Sequence, residues 1–376
     1  MRRGLGVAAA VLALTGSTVA VARSERPEAS TAAGPGAPVS AAPAVVPAGP
    51  PVASPAPPPS VTVPETSPVA LPLSGCPPPP RRGTGTPAPT WRPPVLVPEA
   101  DLPEPLAAPP VSAVPGVQAT QAGLAALEGK GMWVWKYRQT EAGDPDAIVR
   151  RAVDAGLSQL WVRVGDSRDG FYGASVLDGL VPRAHAAGLA VIGWGFPFLH
   201  DPVGDAAWSA EVLAWRGPGG VALDGFSPDI ELATEGVVLT ERRVRVYLGL
   251  VRQAAGSRLV VATVYRPTDR LWFGTYPYTA IAAYVDAFAP MVYWGCSEPG
   301  EATVQALERL SALRPVHVIG QAYDMASEGG RTGPPDANET VRFLEVARRR
   351  GAVGASFWVW QSAPAEQWVA ITGFPW

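Results

Sequence analysis

The chain has 376 residues, 47% of them hydrophobic, enough for one large domain or two small ones. Its formal net charge is -3 and its pI about 5.7, which gives a nucleic-acid partner no electrostatic support. His185, His200 and His317 are scattered, and neither H-E-x-x-H nor C-x-x-C spacing occurs, so no metal and no other cofactor is expected.

The first 22 residues read as a secretory signal. Met1-Arg2-Arg3 is a positive start, Gly4 to Leu14 is an apolar core, and Ala20-Val21-Ala22 is a small-x-small cleavage site. The protein is therefore expected to be secreted or associated with the cell envelope. A membrane enters only if this segment stays uncleaved and serves as an anchor. Residues 23–127 are dominated by Pro, Ala, Val, Ser and Thr with no helical or strand period, the composition of a disordered or polyproline-like linker. Cys76 in that tract and Cys296 in the ordered half are either a staple between the two or a pair of free thiols.

The texture changes near 128. Short apolar, β-branched or aromatic runs predict strands over 131–137, 159–165, 190–196, 225–231, 259–265, 287–293, 317–323 and 354–360. Amphipathic segments predict helices over 145–155, 176–187, 206–214, 241–255, 278–286, 302–313, 339–350 and 364–372. Gly156, Gly188 and Gly351 each stand just past a helix, where a left-handed residue ends it. Eight strand–helix units in about 250 residues predict an α/β fold, a (β/α)8 barrel over 128–376. An open doubly wound sheet is the alternative, but no G-x-G-x-x-G follows the first strand.

In the fourth predicted strand, Asp229 and Glu231 are two residues apart and so share a face, with Ser227 on that face too. Two acids held that closely cannot both ionise freely, so one becomes a proton donor near neutral pH. Barrel enzymes carry their chemistry at the C-terminal ends of strands. Those ends hold Trp135, Arg163, Trp194, Tyr265, Tyr293, Gln321, Tyr323, Trp358 and Trp360 around the acidic pair. A sugar suits such a mouth, with apolar faces that stack on rings and hydroxyls that need fixed polar partners. Asp166, Asp169 and Asp324, just past strand ends, are either loop caps or site residues. A carbohydrate is the expected partner and a monomer the expected state.

These residues resemble the chitinase-like family 18 of glycoside hydrolases. That family carries D-G-[apolar]-D-x-D-x-E on its fourth strand, and Asp224 to Glu231 matches all but one fixed position. Met291-Val292-Tyr293-Trp294 is similar to its M-x-Y-D, and the run ending at Trp360 looks like its eighth strand. The resemblance implies Glu231 as general acid, Asp229 orienting a substrate N-acetyl group, and Tyr293 hydrogen-bonded to that acetamide. Two positions depart: Ser227 replaces the middle aspartate, and Trp294 replaces the aspartate after the tyrosine. The D-x-E pair is also similar to that of lysozyme-like family 25 barrels. The expected function is an exported polysaccharide-directed glycosidase. Its rivals are a carbohydrate-binding barrel without turnover and a structural envelope protein.

Overall fold

A computed structural model describes residues 95–108, 121–328 and 330–376. The expected signal segment, most of the proline-rich tract and Cys76 lie outside the described residues. Cys296 is disulfide-bonded.

Among the described residues nine strands form one sheet: β1 (Gly129–Val134), β2 (Gln159–Asp166), β3 (Gly170–Phe171), β4 (Ala190–Phe196), β5 (Gly225–Ile230), β6 (Leu259–Tyr265), β7 (Ala287–Val292), β8 (His317–Gln321) and β9 (Gly354–Trp358). All neighbours pair in parallel except β3, which folds back antiparallel on β2. Pairing of β1 with both β2 and β9 closes the sheet into an eight-stranded barrel, with β3 appended outside the ring. The (β/α)8 expectation holds, and each predicted strand coincides with a barrel strand.

The helices fall between the strands because their apolar stripes need the barrel's outer face. Among the described residues they are α1 (Gln121–Ala125), α2 (Pro145–Asp154), α3 (Ala174–Ala186), α4 (Pro202–Ala214), α5 (Glu241–Ala255), α6 (Asp269–Trp272), α7 (Tyr278–Ala282), α8 (Pro299–Leu310), α9 (Ala337–Arg349) and α10 (Ala365–Gly373). Asp201 caps α4 by accepting from the Val203 and Gly204 amides, and Asp336 makes a capping box with Glu339 on α9. Gly156, Gly188 and Gly351 take φ of 63°, 78° and 79°, the left-handed stops expected of them. Among the described residues no helix is long and apolar enough to cross a membrane.

Two apolar layers result. One lies between strands and helices and includes Phe226 and Ile230 of β5. The other fills the lumen with Trp133, Trp161, Trp194, Ile192, Val261 and Ile319. Alternation along β5 sends Phe226 and Ile230 outward, so Ser227, Asp229 and Glu231 face the lumen.

Residues 95–108 fall inside the stretch expected to be disordered, yet the structure places them along α5. Leu102 is buried there, Arg242 donates to its carbonyl, and the Tyr284 hydroxyl donates to the Leu106 carbonyl at 2.8 Å. Composition reports only what a segment can bury within itself. This one satisfies its backbone with side chains of the barrel.

Candidate active site

The C-terminal ends of β5 and β6 set the floor. Ser227 is fully buried; its hydroxyl donates to the Val261 carbonyl at 2.7 Å and lies 2.8 Å from the Thr263 hydroxyl. Asp229 is 6% exposed, and its Oδ1 is buried with no hydrogen-bond partner among the described residues. Glu231 Oε2 is in the same condition, although the Tyr265 hydroxyl reaches its carboxyl. Buried polar atoms in folded proteins are almost always satisfied. On the lumen face of β5, Asp229 Oδ1 and Glu231 Oε2 are thus two acceptors open to a donor.

Their electrostatics differ. Burial pushes the Asp229 carboxyl up to about 7, with Arg163 pulling down and Glu235 pushing up. Burial raises Glu231 well above the ordinary range, and the neighbouring charges of Asp229 and Glu235 drive it further. The proton is therefore held more tightly on Glu231 than on Asp229, whose charge Arg163 favours.

Arg163 is positioned by the hairpin of β2 and β3. A Cβ on Gly165 would lie 2.7 Å from the Gly170 carbonyl oxygen, so glycine is what lets the hairpin close. Closure brings the Tyr172 hydroxyl to Arg163 Nε at 2.8 Å, while Arg163 Nη2 bonds Asp166 at 2.9 Å. The guanidinium also covers the Trp194 ring at 4.8 Å. Asp166 both pairs Arg163 and accepts from the Arg168 and Asp169 amides, so it is partner and loop cap at once. Asp324 accepts from the Ala326 amide and caps its turn.

The aromatics divide by depth. Trp358 is half-buried at the mouth, 5.7 Å from the stacked ring of exposed Trp135. Trp194 lies beneath it, 1% exposed and 5.3 Å away, edge-on. It is floor, out of reach of a ligand. Tyr293 and Tyr323 meet edge-on at 5.5 Å past the ends of β7 and β8, the next two strands round the ring from β9, and burial raises both hydroxyls. Gln321 is fully buried, accepting from the Gly295 amide and donating to the Tyr323 carbonyl, so it shapes the loops of the mouth.

Trp360 corrects the sequence reading. β9 ends at Trp358, and a 3-10 turn over Trp360–Ser362 breaks the alternation that would have sent residue 360 inward. It is 3% exposed, packed against Trp368 of α10 at 4.8 Å, and donates to Glu141 at 3.0 Å. Trp294 likewise faces the helix layer, against Phe343 at 5.3 Å.

Two acids of the mouth escaped the sequence reading. Glu235 and Glu328 sit on 3-10 turns just after β5 and β8, and both add their charge to that felt by Glu231. No periodic pattern marks such turns.

The barrel is similar to solved glycoside hydrolases. A chitinase from Chromobacterium violaceum ATCC 12472 aligns at 11% identity and a TM-score of 0.49, covering 65% of this chain and 98% of that one. A family GH18 chitinase from Cycas revoluta, solved with allosamidin, aligns at 12% identity and a TM-score of 0.47 over the same shares. An endo-beta-1,4-mannanase from Thermotoga petrophila gives 12% and 0.45, covering 62% of this chain and 68% of its own. No protein-family model matches the sequence, and no curated protein matches it. At these scores the reading of the site rests on its own residues.

Proposed function

We propose that the barrel is an exported glycoside hydrolase acting on a cell-wall or extracellular polysaccharide, with Glu231 as general acid and Asp229 as its charged partner. The observation that carries this reading is the pair of buried, unpartnered carboxyl oxygens at the floor of a mouth walled by Trp358, Tyr293 and Tyr323. A protonated Glu231 can deliver its proton to the glycosidic oxygen. An ionised Asp229 stabilises the positive charge that develops at the anomeric carbon as that bond breaks. Environment supports these roles: burial and the like charges of Asp229, Glu235 and Glu328 favour the proton on Glu231, while at Asp229, which burial also raises, Arg163 favours the charge. Where a third carboxylate would stand in the resembling family, Ser227 spends its hydroxyl on Val261 and Thr263. Charge on Asp229 is therefore favoured from Arg163 and not relayed from beneath.

Release of reducing ends from a panel of polysaccharides, including chitin and peptidoglycan, tests the reading with wild type beside Glu231→Gln. Loss of the proton donor with shape retained should lower turnover by about 10²- to 10⁴-fold. If neither protein turns over any glycan while both bind one, a carbohydrate-binding barrel without catalysis takes its place.

A further inference from the structure

Between α6 and α7 the chain passes back under the mouth and buries two tyrosines, Tyr276 at 4% and Tyr278 at 3% exposure. Their rings lie 4.5 Å apart, and Tyr276 also meets the Tyr265 ring edge-on at 6.3 Å. Phenylalanine would pack in the same way. What it lacks is the hydroxyl, and both hydroxyls are spent on the ends of β5 and β6. Tyr276 donates to the Ile230 carbonyl at 2.5 Å, and Tyr278 donates to the Tyr265 carbonyl at 3.0 Å. The Tyr276 oxygen also receives a backbone hydrogen bond from Tyr265, so it bridges the last residues of the two strands.

Ile230 stands between Asp229 and Glu231. Its carbonyl belongs to the planar peptide that leads into Glu231, so fixing that oxygen fixes the plane from which Glu231 departs. The paired register of β5 with β6 sets Asp229 opposite Thr263 and Ile230 opposite Val264, and it stops there. Glu231 lies one residue past it. The Glu231 backbone is thus anchored through the Tyr276 hydroxyl, and its carboxyl is reached by Tyr265, whose own carbonyl Tyr278 holds.

We propose that Tyr276 is a positioning residue: its hydroxyl staples the ends of β5 and β6 and so holds the Glu231 carboxyl in the lumen, where the glycosidic oxygen is protonated. This rests on the glycosidase reading of the mouth and deepens it. A proton donor works only at hydrogen-bond distance from its acceptor, so loss of the staple slows the bound complex more than it weakens binding.

The test compares wild type, Tyr276→Phe and Tyr284→Phe in the full chain. Tyr284 is the matched control, 3% exposed, with its hydroxyl donating to the Leu106 carbonyl at 2.8 Å, ahead of β7 and away from the mouth. On the polysaccharide that wild type cleaves, Tyr276→Phe should lower kcat at least about tenfold and keep KM within about threefold. The second readout is the carbon-13 NMR titration of the Glu231 carboxyl, assigned by the signal that Glu231→Gln removes. Burial raises this group in wild type. A strand end released toward water should let it titrate at least about one pH unit lower. The other groups that act on it, Asp229, Glu235, Tyr265 and Glu328, are present in all three proteins, so the change reports its placement. Tyr284→Phe should lose comparable thermal stability and leave both readouts at wild-type values.

A wild-type kcat or a wild-type Glu231 titration in Tyr276→Phe overturns the proposal, and so does a Tyr284→Phe that moves either readout as far. Should Tyr276→Phe fail to fold, Tyr278→Phe frees the Tyr265 side of the same staple and carries the test, with the same directions and the same refutations. If wild type turns over no glycan, the titration decides alone. A displaced Glu231 then keeps the placement by Tyr276 and removes the glycosidase reading; turnover with both readouts unmoved does the reverse.

Discussion

Replacing Asp229 with asparagine should make the protein more stable above neutral pH while disabling the site. In the folded chain, burial lifts this carboxyl from an ordinary 3.8 to about 7. Between those two values the native state holds a proton that the unfolded chain has released, so stability falls as pH rises from about 4 to about 7 and stays low above it. At about 1.4 kcal/mol per pH unit, the full interval costs about 4 kcal/mol. Asparagine removes that cost but brings amide N–H donors into a position without acceptors, worth about 1–3 kcal/mol against it. The net gain above pH 7 is therefore about 1–3 kcal/mol. For a barrel of this size that raises Tm by roughly 2–10 °C. At about pH 3 and below the wild-type carboxyl is largely protonated in both states, so the relief vanishes and the variant is no more stable than wild type. Thermal unfolding followed by calorimetry from about pH 3 to about pH 8 reads the difference between the two proteins. Because the Asp229 charge also raises Glu231, the same comparison is made in a Glu231→Gln background, where the difference isolates Asp229. A variant whose Tm runs parallel to wild type across that range, or lies below it at about pH 8, would refute the account of the buried charge. The gain would be stability that the native chain forgoes to keep a reactive carboxylate.

Two further substitutions probe the floor and the wall. Ser227→Ala deletes both hydroxyl contacts and leaves the Thr263 hydroxyl buried with one partner fewer, so unfolding in denaturant should show a loss of about 1–3 kcal/mol. Trp358→Ala and Trp360→Ala should separate by their effect on KM: the first raises KM for a bound glycan, and also costs stability by removing contacts with Trp133, Trp135 and Trp194. The second costs about 3–5 kcal/mol by emptying the contact with Trp368 and leaves KM of the folded enzyme unchanged. Equal effects of the two on KM would contradict the placement of Trp360 behind the barrel wall.

The resemblance to known glycosidases was legible in three short runs, and the structure gives those runs different weights. The run over β5 carries the orphaned carboxyls. In the run over β7, Tyr293 stands on the mouth wall while Trp294 belongs to the outer core. In the run over β9, Trp358 lies at the mouth and Trp360 behind it. Motif spacing could not separate the two tryptophans, because the alternation that places residue 358 inward stops where the strand stops.

By itself the sequence determined the eight strand positions, the glycine stops after the helices, and the shared face of Ser227, Asp229 and Glu231. Each is a local consequence: a period of two, a left-handed φ, or an apolar stripe needs only a few consecutive residues to be read. Tertiary structure alone decided that residues 95–108 lie along α5, that Trp358 meets Trp194 and Trp133, and that Glu235 and Glu328 come near enough to add their charge to that felt by Glu231. Those placements depend on how the sheet closes on itself and where each loop lands after its strand ends. Groups more than ninety residues apart meet there because the barrel joins its first strand to its last, and no local pattern encodes that meeting.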